Sequence, residues 1–543
     1  MLRPPPSEIL HEIFKHFENE PDYLHSCILV NRAWCANAIQ LLWNKPFHLL
    51  LNKNLDSSHH LISTYLSCLN SDERHSLDLL VFPPPSSLST SFSFITSKNY
   101  SPPTFSYPSF LRHLAHFPLT TSVQEWCFIN NLNTSDNNPI MQKIIHALFK
   151  LFAKYSPNLE SISFVMDMDD DIKNGLNYFD LKLNCHISTL RDPNVRRWVG
   201  MVKEIEFAGD FACDQDFPTL MQICRHLKKM EVRLPEFEYR EDDDHYDSSA
   251  ALSARFIESQ FELKYFFLRE CHYPQALGIA LTRQKNTLRH LKFRDVVFDN
   301  SCPLNWLPNC QNLEILEFID SESLVPNVLD PLRLAPLTNL KSITFKEDPV
   351  PAETLESLIL ASQQNLEEIF FGWPEDCRQD GYAHVLKSIS LNCPNLVRLG
   401  AMIGPNEIAE LFGILNNCKK LKILYIYGNG RSFDVNDILP EIGKFLSSTL
   451  IELNISARWR FGPDSLNQFL NNCCLPVKDK RENVVPLKRF VIRICDFIND
   501  GHLRVLLRHS MKSLKFITLW NKKFSINEVG IDKASQWLRK SVI

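Results

Sequence analysis

The chain carries 16 cysteines and 18 histidines among its 543 residues, ample material for metal or redox chemistry. Spacing argues against both. Cys224, Cys310, Cys393 and Cys418 each stand three residues before a leucine, Leu227, Leu313, Leu396 and Leu421. Zinc needs four ligands converging at about 2.3 Å for sulfur. Neither Cys302 with Cys310 nor Cys473 with Cys474 offers paired C-x-x-C spacing. The registered cysteines therefore read as small apolar side chains at helix ends, and no metal site is expected. His59-His60 is an isolated pair with a surface reading. The acidic insert 236–247 and the residues Asp167, Asp169, Asp170 and Asp171 lack the glycine and terminal Glu of an EF-hand loop. They read as solvated loops.

Catalytic constellations are missing as well. There is no G-x-S-x-G, no G-x-x-x-x-G-K-[ST], no H-E-x-x-H and no H-x-E with P-C-x-x-C. Gly428-Asn429-Gly430 is a turn rather than a phosphate loop. Glycine numbers only 15, where average usage of about 7% would give roughly 38. Folds that wrap nucleotides lean on glycine turns, so the shortage counts against them. No catalytic residue and no cofactor is nominated.

Hydrophobic residues at 44% and charged residues at 22% describe an ordinary globular chain. A net charge of -5 provides no whole-chain field toward nucleic acid or anionic lipid. Lys419, Lys420 and Lys422 read as a solvated helix end. The first residues hold no apolar signal region and no run of 18 apolar residues occurs, so neither secretion nor a membrane span is expected. A cytoplasmic or nuclear setting follows, with the cysteines as thiols and the sequons at Asn99, Asn133 and Asn454 as chance matches.

What would position any functional residue is a repeat. The pattern Leu-x-x-apolar-x-apolar, usually just after Asn, Thr or Cys, recurs at Leu159, Leu288, Leu313, Leu340, Leu366, Leu396, Leu421, Leu450, Leu487 and Leu514. Weaker copies start at Val202, Leu227 and Leu263, and a first copy is read at Val123-Trp126-Phe128. From Leu288 to Leu450 the starts are 25, 27, 26, 30, 25 and 29 residues apart. This period and consensus are the leucine-rich-repeat signature. The apolar pair has strand spacing. Upstream, Ile408, Leu411, Phe412 and Leu415 share one helical face. Each repeat thus reads as helix, turn and short parallel strand, an α/β solenoid whose neighbours complete one another's core. The Asn expected eight residues after the first Leu occurs only as Asn429, which predicts an irregular turn ladder. Leu227 to Leu263 and Leu450 to Leu487 each enclose a charged loop, the latter Pro476 to Glu482.

Residues 2–47 carry three short helical patterns. Ile9, Leu10, Ile13, Phe14 and Phe17 make one face, capped by Ser7. Leu24, Cys27 and Ile28 make a second, and Trp34, Ala38 and Leu41 a third. About 45 residues make a small core, which often needs a partner to cover its apolar surface. The Pro- and Ser-rich stretch 83–109 reads as a linker. The expected organisation is a helical module at 1–47, an irregular connecting region at 48–110 and a solenoid of about 13 units at 111–543.

The string Pro6-Ser7-Glu8-Ile9-Leu10-His11-Glu12-Ile13-Phe14, followed by Val30-Asn31-Arg32-Ala33-Trp34 and Leu42-Trp43, resembles an F-box. It departs from that pattern at Pro5, where a Leu normally precedes the first Pro. With the repeats, the chain resembles the F-box and leucine-rich-repeat proteins. The resemblance implies a non-catalytic substrate receptor of an SCF-type ubiquitin ligase. Its F-box would dock on a Skp-family adaptor linked to a cullin, with Pro6, Ile9, Leu10, Ile13 and Val30 near that contact. Its repeats would hold a protein substrate.

Side chains alternate along a strand, so residues two and four after each first Leu should face away from the core. These are Glu368 and Phe370, Ile423 and Tyr425, Glu452 and Asn454, Arg489 and Val491, Phe516 and Thr518. Tyr427 and Trp520 follow two positions later in their strands. Aromatics concentrate in binding hot spots, which nominates Phe370, Tyr425, Tyr427, Phe516 and Trp520 for substrate binding. The alternatives are a repeat scaffold unconnected with ubiquitination and an enzyme with a dispersed active site.

Overall fold

A computed structural model describes residues 5–50, 58–81, 103–132, 139–165, 187–208, 217–234, 244–300, 302–347, 349–372, 381–428, 430–473, 487–493, 495, 498–510, 516–521 and 524–526. Most of the linker 83–109, most of the acidic insert 236–247, Asp167 to Asp171, Asn429 and the loop 476–482 lie outside these residues. The chain forms two compact units, 1–263 and 264–543.

The first unit begins with three helices, α1 (Ser7–Lys15), α2 (Pro21–Ile28) and α3 (Arg32–Leu42). The α1 start differs from expectation, because Ser7 makes no cap. Its Oγ donates instead to Asn37 Oδ1 at 2.6 Å, tying α1 to α3, and Pro6 takes the cap position. Pro21 opens α2, where its missing N–H is not needed. Asn31 caps α3 by accepting from the Trp34 amide at 2.9 Å. Leu10, Phe14, Leu24, Ala38 and Leu41 form the module's core. The Phe14 and Trp34 rings meet edge to face at 5.1 Å.

The connecting region is more regular than its composition suggests. It contains α4 (His59–Ser67) and α5 (Ser71–Val81). Ile62, Tyr65 and Leu66 of α4 are buried. Tyr65 packs on Phe47 and Phe152 with centroids 5.8 and 4.9 Å away. Glu125 accepts from Ser58 Oγ, from the His59 amide at 3.0 Å and, opposite the His59 ring, lies 3.0 Å from Nδ1. His59 is thus engaged at the start of α4, whereas His60 is exposed.

Among the described residues, four parallel strands follow in this unit: β1 (His113–Ala115), β2 (Ser161–Phe164), β3 (Glu204–Ala208) and β4 (Lys229–Arg233). Val123, Trp126 and Phe128 do not form the first repeat strand, since His116–Ile129 is a helix. The first strand is instead the one after Leu111, with Leu114 paired to Ile162. A Val and a Trp three apart suit a helix face as well as this repeat, and the buried face of 116–129 takes both.

The second unit runs through β5 (Tyr265–His272), β6 (His290–Val297), β7 (Ile315–Ile319), β8 (Ser342–Lys346), β9 (Glu368–Gly372), β10 (Arg398–Met402) and β11 (Ile423–Tyr427). A short pair, β12 (Phe433–Asp434) with β14 (Trp459–Arg460), stands beside the main sheet. The sheet continues through β13 (Glu452–Ser456), β15 (Arg489–Arg493) and β16 (Phe516–Asn521). Its main-sheet pairings are parallel up to β16, and β17 (Phe524–Ile526) returns antiparallel. Helices such as Ala352–Ser362, Ala383–Asn392 and Ile408–Asn417 precede the strands. This is a leucine-rich-repeat solenoid. Its repeat positions stack in columns: the Phe293, Phe318 and Phe345 rings lie 5.1 and 5.0 Å apart, nearly parallel.

Two polar ladders join successive repeats. Asn312, Asn339, Asn365 and Asn395 each immediately precede a repeat leucine. Their side-chain amides donate to Asn286, Gln311, Thr338 and Gln364 carbonyls in the repeat before, at 2.8 to 2.9 Å. Thr449 Oγ1 continues the series to the Lys419 carbonyl at 2.9 Å. The second ladder uses the registered cysteines. Cys418 Sγ donates to the Cys393 carbonyl at 3.3 Å and Cys224 Sγ to Val199 at 3.6 Å. Burial pushes the thiols of Cys224, Cys310, Cys393 and Cys418 up to about 12, so they stay protonated.

Candidate functional site

Two surfaces carry the nominated residues. On the helical module, α1 divides its apolar residues between two faces. Leu10, 2% exposed, and Phe14 close the core, whereas Ile9 and Ile13 are 52% and 46% exposed. The exposed pair is spaced i, i+4, so both side chains line one side of the helix. Pro6 is exposed at its start. Val30, just past α2, is 56% exposed, and Leu29 and Tyr23 are exposed too. Of the five residues nominated for the adaptor, four are therefore at the surface, and Leu10 lies beneath them as core.

On the second unit, the face of the sheet opposite the buried Leu, Ile and Phe columns presents two further columns. Glu368, Arg398, Ile423, Glu452 and Arg489 are register partners, as are Phe370, Gly400, Tyr425, Asn454 and Val491. Phe370 and Tyr425 sit one strand either side of Gly400, with ring centroids 5.5 Å apart. A side chain at Gly400 would leave no room for this. Its Cβ would stand 2.4 Å from Phe370 Cδ1, and a Cβ at Gly372 would stand 2.5 Å from Tyr427 Cδ2. Two of the few glycines thus make space for aromatic rings. Phe370, Tyr425 and Tyr427 are half-buried rather than freely exposed. Asn454 and Val491, expected to face outward, are buried. Phe516 and Trp520 lie on β16, whose side chains are outside the described residues.

The charges around these rings are paired. Arg398 lies 3.3 Å from Glu368 and its guanidinium sits over the Phe370 ring at 5.6 Å. Tyr425 Oη donates to Glu452 Oε1 at 3.0 Å, and Arg489 lies 3.8 Å from the same oxygen. Burial, then the bond to Glu452, raises the Tyr425 hydroxyl above its usual range. Burial lifts Tyr427 to about 12. Both phenols remain neutral.

The same face holds a second cluster on β5 to β7 that the sequence reading did not nominate. His290 Nε2 lies 2.8 Å from Glu317 Oε2, and Lys292 Nζ 4.0 Å from it. The Phe267 ring meets the His290 ring at 4.8 Å and the Lys292 ammonium at 5.8 Å. Burial works against the Glu317 carboxylate, but the His290 bond and Lys292 hold it below its usual range. These residues occupy the positions two and four after Leu263, Leu288 and Leu313. The rule that nominated Phe370 would have found them had it been carried to the earlier repeats.

Beside this cluster, four acidic residues adopt left-handed backbone: Glu270 at φ 53°, Asp295 at 52°, Asp320 at 52° and Glu347 at 75°. Each follows one of the register partners Arg269, Arg294, Ile319 and Lys346, so they form a column along four strands. Burial, then repulsion from Asp320, raises the Asp295 carboxyl. Among the described residues no group of three or more His, Cys, Asp or Glu is placed to hold a metal ion, and no helix is long and apolar enough to cross a membrane.

No protein-family model matches the chain, and no curated protein matches it in sequence. Among solved structures it is similar to the Rad7 and Elc1 complex of yeast, at 12% identity over 72% of this chain and 79% of that one, with a TM-score of 0.32. It is similar to the leucine-rich repeat-containing protein LegL7 from Legionella pneumophila, at 10% identity over 60% and 92%, TM-score 0.29. It is also similar to the TLR13–ssRNA13 complex, at 11% identity over 76% and 62%, TM-score 0.32. The fold assignment rests on the stacked repeats of the chain itself.

Proposed function

We propose that this chain is the substrate-recognition subunit of an SCF-type ubiquitin ligase. The module 1–47 docks on a Skp-family adaptor and through it on a cullin. The region 48–110 connects it to the repeats, 111–543, whose sheet face holds a protein substrate. The chain itself is non-catalytic; a ubiquitin-conjugating enzyme supplies the chemistry. The observation that carries this reading is the division of α1. Leu10 and Phe14 already complete the module's core, yet Ile9 and Ile13 remain about half exposed on the other side. A helix with a finished core and a second apolar face suits docking into a partner's groove.

Pro6, Ile9, Ile13 and Val30 form the contact, with Leu10 supporting it from below. The test is binding of the purified full chain to a Skp-family adaptor, natural sequence against Ile9→Asp with Ile13→Asp. Burying the exposed half of each Ile is worth roughly 1 kcal/mol, and an unpaired carboxylate in the groove adds to the loss. A fall in affinity of about a hundredfold is expected, with thermal unfolding unchanged. Leu10→Asp is unsuitable, since it would disrupt the core. Absence of adaptor binding by the natural chain would favour a repeat scaffold outside ubiquitination.

A further inference from the structure

The first unit holds a cavity of about 620 Å³ where α5, helix Pro139–Tyr155 and helix Pro193–Val199 meet. Its charged groups decide what could occupy it. Glu73 Oε1 accepts from Lys154 at 2.7 Å, and Oε2 accepts from the Asn70 amide at 2.9 Å. Asp192 Oδ2 lies 3.3 Å from Lys150, and Oδ1 accepts the Asn194 and Val195 amides at 2.9 and 3.3 Å. All four carboxylate oxygens are committed, two of them to starting a helix. Both lysines are committed to those carboxylates. Arg197 remains; it is exposed and has no carboxylate partner among the described residues. The apolar side chains exposed at the cavity include Met201 and Pro157. Trp198 itself is buried, 1% exposed, with its indole N–H donating to the Ser156 carbonyl at 2.6 Å.

We propose that this cavity binds a small amphipathic monoanion, with its acid group on Arg197 and its apolar body against Met201 and Pro157. A cationic ligand would have to displace a lysine from Glu73 or Asp192. A dianion would find one free cation among the described residues. The volume is within the range of small-molecule sites. This proposal is independent of adaptor binding and of the sheet face.

The test uses full-length protein carrying methyl-labelled methionine, with the Met201 resonance assigned by its loss in Met201→Leu. Octanoate, octan-1-ol and octylammonium share a chain and differ in charge. Octanoate is expected to shift the Met201 methyl at lower concentration than octan-1-ol, and octylammonium to leave it unmoved. Arg197→Gln should weaken octanoate about fivefold, the scale of a partly solvated ion pair. Glu73→Gln should strengthen it, because Gln keeps the acceptor for Asn70 while freeing the Lys154 charge. Equal shifts from the three probes, an unmoved Met201, or unchanged binding in Arg197→Gln would each overturn the proposal.

Discussion

Gly400 is the point where the aromatic face of the second unit can be tested against its own geometry. A methyl added there would stand 2.4 Å from Phe370 Cδ1, where carbon atoms prefer about 3.5 to 4.0 Å. Cδ1 is part of the ring next to its attachment point, so the ring must swing rather than flex at its tip. Overpacking of this kind costs about 1 to 3 kcal/mol. Gly400 is not among the positive-φ residues, so Ala suits its backbone and recovers about 0.4 to 1 kcal/mol through the unfolded chain. Gly400→Ala should therefore destabilise β10 by roughly 1 to 2 kcal/mol. Phe370→Ala loses a half-buried ring and its pairing with Tyr425, about 1 to 2 kcal/mol. In the double variant the clash is gone, so the combined loss should fall short of the sum by about 1 kcal/mol or more. Because the chain has two units, global unfolding is a poor measure. Hydrogen exchange of peptides covering β9 to β11 reads the local opening free energy instead. Additive losses, or a Gly400→Ala variant no less protected than the natural chain, would refute the floor-and-ring reasoning.

The other expectations concern the ladders and a buried histidine. Asn339→Ala removes the bond to the Gln311 carbonyl and should lower protection of β8 by about 0.5 to 1.5 kcal/mol by hydrogen exchange, with Ser342 pairing retained. Asp320→Asn keeps a residue that tolerates left-handed backbone while removing a like charge. The Asp295 carboxyl should then titrate lower, by carboxyl-carbon NMR, and an unmoved Asp295 would contradict the column of repelling acids. Burial, then His113 and Lys45, pull His48 down to about 4 from an ordinary 6.5. The unfolded chain takes up this proton first, so stability is full above pH 6.5 and falls as pH drops toward 4. The loss is up to about 3 kcal/mol. His48→Phe should flatten thermal stability of the first unit across that window, and a profile identical to the natural chain would contradict it.

The repeats were legible because a strand of this fold is specified by a few strictly placed apolar residues. Leu, then apolar residues three and five later, survive as columns whose burial is nearly complete. The inter-repeat bonds were legible only in part. The fold's Asn eight residues after the leucine occurs clearly only as Asn429. The asparagines stood instead immediately before Leu313, Leu340, Leu366 and Leu396, where their amides bridge to the preceding repeat. The residue type was visible in the pattern, but its role needs the neighbouring repeat in place. The same holds for α4: Leu61, Ile62, Tyr65 and Leu66 carry helix spacing, but the Pro- and Ser-rich composition that follows masks it in sequence.

The binding faces show a sharper limit. Alternation along a strand separates inward from outward positions, but it does not report what lies across an outward one. Phe370 and Tyr425 obey the rule, and their half-burial comes from Gly400 on the strand between them, 30 residues from one and 25 from the other. Asn454 and Val491 obey the same spacing and are buried. On α1 the corresponding ambiguity is one of helix face. Ile9, Leu10, Ile13 and Phe14 are equally apolar in sequence, and only the positions of Leu24, Ala38 and Leu41 decide that Leu10 and Phe14 turn inward. A surface suited to a partner is therefore the remainder after the internal contacts are assigned. That is why a family resemblance could name Leu10 and Ile13 together, and why packing separates them.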